Sequence, residues 1–492
     1  MAAVALAMVM ALRMTIYADA PDIGYHIGKI IWAVRGQPLI DPVMGITTGY
    51  PPFFHILGGW LSRLTGEGPA VLLRWSTAWN LVGLWFVIWW FGKRLAGENL
   101  ASVTLWLASL SLFAKDVSEI LFANPACASM PLAAAAWWIW ATESRWRHAV
   151  LGAFLLGCAI LLWPTHLFGA LGVGLMMGWR RIKDPKAWLY AASVLMALAV
   201  GWVTRQAVPG GESWSGLQLL PADFAHFLLT RAQAIVTLGT NAHGPWLALA
   251  GAGLLGLLIA LAVKGTQSKD RLSHAQDLWH LSLGLSVGAL LAYWFMIQPP
   301  HGTRVLFLAV LVPVPWAALG LRELPRIGLP KIVAHRNIWL LGAGLVWLLP
   351  FLIATSASTE RQHRWTVRTK EVSDFLSERA KPGERVWASP DTYCNVVLGK
   401  MPVFGLLGHR WPLYFGAPAR EADSIATVYA QISSLNVTDD WQGTLRRNAI
   451  SWVILDRDLD SRMPLATTLS ANLAPVFNDP AYVVYKVRPL SD

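Results

Sequence analysis

The chain has 492 residues, of which 55% are hydrophobic and only 14% are charged, and it contains 28 tryptophans. Charged residues make up about a quarter of an ordinary soluble domain, so this composition excludes a typical soluble globular protein and indicates a polytopic membrane protein. The formal net charge of +11 does not indicate a nucleic-acid partner, because the lysines and arginines lie in short loops between apolar segments, where they orient a membrane protein.

The first apolar segment, residues 1–20, is compatible with two interpretations. Its end, Ala18-Asp19-Ala20, matches the small-residue pattern at which signal peptides are cleaved. Against cleavage, no basic segment precedes the apolar run, and Arg13 interrupts it. We therefore favour a first helix that is retained in the mature protein, with cleavage before Pro21 as the alternative.

The next stretch carries more ionisable side chains than a membrane protein needs merely to fold. We predict that residues 19–68 form the first extracytoplasmic loop, and that the rest of the chain is a scaffold for it. The ionisable residues in this polar loop are Asp19, Asp22, His26, Asp41 and His55.

Ten further apolar segments predict, together with the first, about eleven transmembrane helices. The predicted spans are residues 70–92, 99–113, 127–141, 149–163, 166–179, 187–204, 245–263, 279–297, 304–320 and 337–355. Basic residues cluster in alternate connections, which the positive-inside rule makes cytoplasmic. These clusters are Lys93-Arg94, Arg145 with Arg147, Arg180-Arg181 with Lys183 and Lys186, Lys264 with Lys269 and Arg271, and Arg322 with Arg326, Lys331 and Arg336. The other connections, and everything after about residue 356, are therefore expected to be extracytoplasmic.

The sequence becomes more polar after about residue 360, which predicts a soluble domain at residues 356–492 beside a transmembrane domain at residues 1–355. The domain is expected to be a small α/β unit. Its predicted helices are residues 368–380 and 465–473, and its predicted strands are residues 384–390, 451–458 and 482–487.

Three aspartates, Asp456, Asp458 and Asp460, alternate at the end of the second predicted strand. The arrangement is compatible with a cation site. We favour an exposed acidic turn.

Four ionisable residues lie at predicted extracytoplasmic ends of helices: His166, Arg304, Asp116 and Glu119. A charge at the centre of a membrane helix costs about 2.5–3.5 kcal/mol on insertion scales, so such residues commonly face a cavity. Snorkelling to the interface, or a solvated loop, is the alternative. Because these ends open on the same side as residues 19–68, carboxylates and cations meeting there could act on an anionic, phosphate-bearing substrate.

Several short motifs occur along the chain, and together they resemble the pattern of a known family. They are a first helix with Arg13 near its end, D-x-x-x-H from Asp22 to His26, Asp41-Pro42, Tyr-Pro-Pro-Phe-Phe-His at 50–55, Trp-Pro-Thr-His at 163–166, and His-Gly-Thr-Arg-Val-Leu-Phe-Leu at 301–308. In these motifs and in its architecture the chain resembles the class C glycosyltransferases. These polytopic enzymes use polyprenyl-phosphate-linked sugars and include protein mannosyltransferases, aminoarabinose transferases and the catalytic subunit of oligosaccharyltransferase.

The resemblance implies roles for individual residues. It implies an acidic residue in the first external loop as catalytic base or metal ligand, which Asp22 matches best and Asp19 next. It also implies that Arg304 contacts the donor phosphate, with His301 in the same motif, and that His166 stands where relatives often carry a lysine. The positions expected to bind the acceptor or to support the site are His26, Asp41, Tyr50, His55, Asp116 and Glu119.

Two departures from the family limit what the resemblance implies. No WWDYG-type sequence occurs in the C-terminal domain, so transfer of an oligosaccharide to asparagine is not expected. Residues 115–119, Lys-Asp-Val-Ser-Glu, are not the Asp-Asn-Glu type of motif that metal-dependent relatives carry. A divalent metal is therefore not favoured, although it is not excluded, and no other cofactor is expected.

The leading hypothesis is an inverting transferase in a bacterial or archaeal plasma membrane, which moves a sugar from a polyprenyl-phosphate donor to an extracytoplasmic glycan, lipid or protein. The alternative is a non-catalytic membrane protein of the same architecture, either a transporter or a subunit of an assembly. A transporter should show inverted repeats and broken helices, and neither is evident in the sequence.

Overall fold

The computed structural model describes residues 21–42, 47, 50–98, 101, 105, 125–142, 145–206, 277–288, 291, 371–372, 374–376, 378–381, 384–389, 404–406, 427–458 and 460–487. Its contacts divide the chain into two units, which we describe separately. One unit contains Met1–Ile16, Arg74–Val203 and Leu217–Ala354, and the other contains Tyr17–Leu73, Thr204–Gly216 and Thr355–Asp492. The domain bounds 1–355 and 356–492 stay a prediction.

The stretch predicted as a loop at residues 19–68 contains two helices, α1 at Pro21–Val34 and α2 at Phe53–Thr65. These helices were not predicted from the sequence, and the extracytoplasmic location of the stretch stays a prediction. Proline suits the first position of a helix, where its missing N–H costs nothing. Gly36 and Gly66 follow the two helices with φ angles of +82° and +74°, a left-handed conformation that commonly ends helices because glycine adopts it without strain.

The predicted spans that fall on described residues are helical. They correspond to α3 at Pro69–Ala96, α4 at Pro125–Thr142, α5 at Trp146–Leu162, α6 at His166–Arg181 and α7 at Pro185–Gln206. A helix α8 over residues 277–288 covers part of the span predicted at 279–297. The spans predicted at 1–20, 245–263, 304–320 and 337–355 lie outside the described residues, as does nearly all of 99–113, so the count of eleven stays a prediction.

Small residues allow close helix packing in this unit. Ala133, Ala134 and Ala136 of α4 are fully buried, and α4 packs along α5. The backbones of α6 and α8 also approach closely, because a β-carbon added at Gly172 would clash with the Gly284 carbonyl. Glycine and alanine let helix backbones approach where larger side chains would hold them apart.

The outer surfaces of α3, α5, α6 and α7 are unusually apolar. Large hydrophobic side chains are exposed there, among them Trp79, Phe86, Phe154, Leu175, Trp188, Leu195 and Trp202. In the described part of the chain, residues 185–203 form a helix that is long and apolar enough to cross a bilayer, and Trp146–Leu162 and His166–Met176 are shorter apolar helices. Exposed apolar area of this extent is rare on soluble monomers.

The C-terminal part contains a five-stranded mixed sheet in the order β2-β1-β3-β5-β4. The strands are β1 at Arg385–Trp387, β2 at Phe404–Leu406, β3 at Ile450–Asp456, β4 at Phe477–Asn478 and β5 at Tyr482–Lys486. Strand β1 pairs in parallel with β2 and β3, whereas β5 pairs antiparallel with β3 and β4. The three predicted strands are confirmed as β1, β3 and β5, whereas β2 and β4 were not predicted from the sequence.

Helices flank this sheet and close its core. They are α9 over residues 427–433, α10 at Trp441–Arg447 and α11 at Pro464–Asn472. Fully buried residues from the sheet and from the helices, including Trp387, Leu445, Val453 and Leu469, form one hydrophobic cluster. The predicted helix at 368–380 is present at residues 371–372, 374–376 and 378–379.

The acidic turn after β3 is not fully exposed, which corrects the expectation for Asp460. The Asp460 carboxylate is buried, and it accepts hydrogen bonds from the Asp456 N–H at 2.9 Å and the Ser389 hydroxyl at 3.2 Å. The Asp456 carboxylate accepts the N–H of Asp458 at 2.8 Å. Carboxylates that accept neighbouring N–H groups stabilise a turn, so these residues have a structural explanation.

Candidate functional site

Helix α1 brings a row of polar side chains to one face. Tyr25, His26 and Lys29 follow residue 22 at helical spacings of three, four and seven. Positions with these spacings lie on the same side of an α-helix. All three of these side chains are buried, although histidine and lysine usually remain in contact with water.

His26 pairs with His55 of α2 across the contact between the two helices. The distance from His26 Nδ1 to His55 Nε2 is 2.9 Å, and the two rings are stacked with an interplanar angle of 20°. One ring donates its N–H to the other, because two lone pairs at this distance would repel. Burial, and then the neighbouring His26 and Lys29, lower the pKa of His55 well below its usual value, against a smaller opposing effect of the Pro51 carbonyl. His55 is therefore neutral at neutral pH.

Lys29 joins α1 to the segment that follows it. Its ammonium donates to the carbonyl oxygens of Pro38 at 3.4 Å and Ile40 at 3.2 Å. Asp41 comes next in the chain, and its carboxylate accepts the Tyr25 hydroxyl at 2.9 Å. Burial lowers the pKa of Lys29 to about 8, and the opposite charge of Asp41 partly counteracts this shift.

Aromatic rings enclose the histidine pair. Phe54 lies edge-on to His26, with 5.9 Å between the ring centroids, and Tyr50 lies 5.7 Å from His55 and 5.6 Å from Tyr25. Edge-to-face contacts at these distances are favourable and restrict the ring orientations. The polar cluster, which we define as Tyr25, His26, Lys29, Asp41, Tyr50 and His55, is thus held in one arrangement.

The burial of Lys29 predicts a specific dependence of stability on pH. Its pKa is about 8 in the folded protein against 10.5 in the unfolded chain, so between these pH values the unfolded chain binds more protons. The free energy of unfolding should therefore rise with pH across this window, by up to about 3 kcal/mol, and this contribution should be flat below pH 8. Thermal unfolding of wild type and Lys29→Met in detergent, from pH 7 to 10.5, measures the difference. Parallel curves would show that Lys29 is not buried as a cation.

His166 lies at the start of α6 in the other unit, where it contacts Ser129 of α4. The Ser129 hydroxyl donates to the Ala126 carbonyl at 2.7 Å, so its oxygen is left to accept the Nε2–H of His166 at 2.8 Å. In this tautomer His166 Nδ1 carries no proton. The Nδ1 atom is buried and has no hydrogen-bond partner in the described part of the chain. A phosphate contact through Nδ1 would therefore require a second proton on the ring.

The structure brings together four of the predicted site residues, namely His26, Asp41, Tyr50 and His55. Residue 22 lies in the first turn of α1, one turn before His26, and its side chain is not among the described ones. Outside the described residues are Asp19, Asp116, Glu119, His301 and Arg304. Lys29, Asp41 and His55 are completely buried, so they can position other groups but do not reach solvent.

Tyr25 and Lys29 were not predicted as site residues from the sequence. A helical wheel drawn from residue 22 would have placed both beside His26, but that pattern is visible only if the segment is assumed to be a helix. No group of three or more histidine, cysteine, aspartate or glutamate side chains within the described residues could hold a metal ion.

Comparison with known proteins places this fold. No protein-family model matches the chain, and no curated protein sequence matches it. Among solved structures, the chain is similar to ArnT from Cupriavidus metallidurans bound to undecaprenyl phosphate, with a TM-score of 0.60 and 13% identity over 98% of this chain and 96% of that one. The apo state of ArnT gives a TM-score of 0.57.

A second similar structure is the arabinofuranosyltransferase AftD from Mycobacteria, with a TM-score of 0.55 and 18% identity. The match covers 98% of this chain but only 40% of the AftD chain. The resemblance in fold to the class C glycosyltransferases is therefore confirmed. At these identities the similarity concerns the fold, and activity must be argued separately.

Proposed function

We propose that this chain is a membrane glycosyltransferase that moves a sugar from a polyprenyl-phosphate donor to an extracytoplasmic acceptor. The observation that carries the proposal is the match over 98% of this chain to a structure whose bound ligand is undecaprenyl phosphate. The D-x-x-x-H motif supports it independently, because it places an acidic residue in the first turn of α1, one turn before the buried polar cluster.

The proposed reaction is a direct displacement with inversion. The Asp22 carboxylate takes the proton of an acceptor hydroxyl, whose oxygen forms a bond to the anomeric carbon. The bond between that carbon and the phosphate oxygen breaks, and polyprenyl phosphate leaves with the electron pair. Arg304 stabilises the charge on the departing phosphate.

The polar cluster has a supporting role in this scheme. His26, Lys29 and Tyr25 anchor successive turns of α1 to α2 and to the segment around Asp41. A catalytic carboxylate must be held within a fraction of an ångström of its productive position, and anchored helices achieve this better than loops. We therefore assign His26 and His55 as positioning residues rather than groups that touch substrate.

The proposal extends to topology. The alternation of basic loops supports an extracytoplasmic C-terminal domain at residues 356–492 and a transmembrane domain at residues 1–355 with about eleven helices. With this arrangement the first external region and the sheet domain face the same compartment. The proposed location of the protein is the plasma membrane of a bacterium or an archaeon, as an integral membrane protein.

Donor recognition can be tested before the sugar is known, because the polyprenyl phosphate itself is the product. The purified protein should bind undecaprenyl phosphate in native mass spectrometry and should bind undecaprenol, which lacks the phosphate, much more weakly. Arg304→Ala removes one charge-assisted hydrogen bond of about 1.5–3 kcal/mol, which corresponds to a loss of affinity of roughly 10- to 150-fold.

The matched control for this measurement is Arg457→Ala, which changes an exposed arginine of the sheet domain. It should leave binding unchanged. Equal binding of undecaprenyl phosphate and undecaprenol by the wild type would contradict the proposed donor. Binding that is selective for the phosphate but indifferent to Arg304 would move the phosphate site to another residue.

A further inference from the structure

Four basic side chains meet at one end of the larger helical unit. Arg94 lies in the last turn of α3, Arg145 directly precedes α5, and Arg147 and His148 lie in the first turn of α5. Slight burial, and then the positive charges of the three arginines, lower the pKa of His148. The three guanidinium groups therefore lie close to one imidazole ring, which is neutral at neutral pH. We call these four residues the basic cluster.

Helix packing brings the members of the basic cluster together. The ring centroids of Phe91 in α3 and Trp138 in α4 lie 4.9 Å apart. About two turns earlier, a β-carbon added at Gly83 of α3 would lie 3.2 Å from the β-carbon of Pro131 in α4. The two helices therefore run side by side in the same direction, and the end of α3 lies beside the connection from α4 to α5.

The basic cluster carries an excess of positive charge. Residues 93–98 and 143–148 contain four lysines and arginines but two glutamates. One of these glutamates, Glu98, is already paired with Lys93 at 2.9 Å. The three arginines of the cluster are exposed, and like charges held close together repel one another. An anionic group placed among them would reduce this repulsion and would accept charge-assisted hydrogen bonds.

An apolar surface begins directly at the basic cluster. Trp146, Val150 and Phe154 follow one another at intervals of four residues, so they share one face of α5. Their exposed fractions are 52%, 53% and 64%. We call this face the apolar column. It extends for about 12 Å along α5, and it starts with a tryptophan, a residue that is common at the level of lipid head groups.

We propose that the basic cluster and the apolar column together bind an anionic glycerophospholipid. The planar guanidinium groups of arginine match the oxygens of a phosphate, and an acyl chain lies along the column. Inorganic phosphate would use the cluster but leave the column uncovered. A lipid without net charge would cover the column but would not offset the excess positive charge. An amphiphile with an anionic head group satisfies both parts of the site.

This site is separate from the proposed reaction. It lies within the larger unit and uses none of the residues assigned to sugar transfer. Both connections that form it are among those predicted to be cytoplasmic. The bound lipid would link the end of α3 to the start of α5 through its phosphate and would thereby stabilise this end of the helical unit.

Native mass spectrometry of the full chain measures the lipid affinity directly. Dioleoyl phosphatidylglycerol should bind the wild-type protein at least about 10-fold more tightly than dioleoyl phosphatidylcholine, because one charge-assisted contact alone has an effect of this size. Replacing Arg145 and Arg147 together with glutamine should abolish the preference. The matched control replaces two exposed arginines of the sheet domain, Arg457 and Arg462, with glutamine and should keep it. An unchanged preference in the Arg145 and Arg147 variant would overturn the proposal.

Competitors identify the source of the phosphate. Neither inorganic phosphate nor glycerophosphoglycerol, the head group without acyl chains, should displace phosphatidylglycerol when present in large excess. Displacement by either would overturn the proposal in favour of a site for free phosphate. Undecaprenyl phosphate should bind the Arg145 and Arg147 variant as tightly as it binds the wild type. An equal loss of affinity for both lipids would overturn the proposal in favour of a polyprenyl-phosphate site.

A second measurement needs no substitution. Wild-type protein is placed in nanodiscs in which either phosphatidylglycerol or phosphatidylcholine carries a diazirine in one acyl chain. Phosphatidylglycerol should label residues 146–154 several-fold more than phosphatidylcholine does, whereas the two lipids should label the exposed apolar residues within 195–203 of α7 equally. Equal labelling of residues 146–154 by the two lipids would contradict the site. Neither readout depends on sugar transfer, so an inactive protein with this preference would refute the proposed function and leave this inference standing.

Discussion

Replacing Asp22 with asparagine should reduce sugar transfer by about 10²–10⁴-fold, which is the usual contribution of a general base. Asparagine keeps the size and much of the hydrogen-bonding shape of aspartate but does not accept the proton of the acceptor hydroxyl. Donor binding should be preserved, because the phosphate is held by other groups. The assay is release of undecaprenyl phosphate from a panel of undecaprenyl-phosphate-linked sugars, with an envelope extract as the source of acceptor.

Asp458→Asn makes the same chemical change on an exposed residue of the turn after β3, and it should retain wild-type transfer. Full activity of Asp22→Asn would move the catalytic role to Asp19 or Asp116. Absence of transfer by the wild-type protein, together with unchanged donor binding in all variants, would favour a non-catalytic membrane protein of this fold.

The largest loss of stability is expected for Asp41→Ala, at about 3–4 kcal/mol. Without the Asp41 carboxylate, the charged form of the buried Lys29 loses the opposite charge that stabilises it. Since the pKa of Lys29 is already about 8, neutralising it at pH 7 costs about 1.4 kcal/mol. The Tyr25 hydroxyl loses its acceptor, and a buried donor left unsatisfied costs about 1–3 kcal/mol.

Asp41→Asn separates these two contributions, because the amide oxygen still accepts from Tyr25 while the charge is gone. The free energy of unfolding of Asp41→Asn should fall by only about 1–2 kcal/mol. Adding Lys29→Met to Asp41→Asn should recover part of the loss, since no cation then remains to be neutralised. Unfolding midpoints of the single and double variants, measured in one detergent at pH 7, decide between these outcomes. Strict additivity would show that Lys29 and Asp41 are not coupled.

The helices of the larger unit were predictable because their apolar runs have clear ends. Lys93 and Arg94 close α3, Pro164 separates α5 from α6, and Pro185 begins α7. Each of these boundaries is set by a local property, either a charge that must leave the membrane or a proline that starts or ends a helix. Local signals of this kind can be detected without knowledge of the tertiary structure.

The two helices at Pro21–Val34 and Phe53–Thr65 were not predicted, for the opposite reason. Tyr25, His26 and Lys29 occupy positions on α1 that would be apolar in an ordinary buried helix, so the segment looks like a polar loop. Their burial depends on partners that are distant in sequence. His55 lies in the next helix, and the carbonyls that hold Lys29 belong to an irregular segment.

The sheet shows a similar limit. Strand β3 was predictable from its hydrophobic run, whereas β2 has only three residues and β4 two. Strands this short are formed by pairing with a neighbour rather than by their own sequence preference. Strands β2 and β4 form because the backbone groups at the free edges of β1 and β5 are available to pair with them.

Strand β3 lies at the centre of the C-terminal sheet. The two strands on one side of it, β1 and β2, precede it in the chain and are therefore synthesised before it. A chain that terminated before Ile450 would contain β1 and β2 but would lack β3, β4 and β5. The edge of β1, normally covered by β3, would then expose unpaired N–H and carbonyl groups beside Trp387, a residue that is fully buried when the sheet is formed. Open edges of this kind pair readily with other chains. A stop codon after β2 and before β3 is therefore expected to lead to aggregation and degradation, rather than to a folded sheet that merely lacks its last strands.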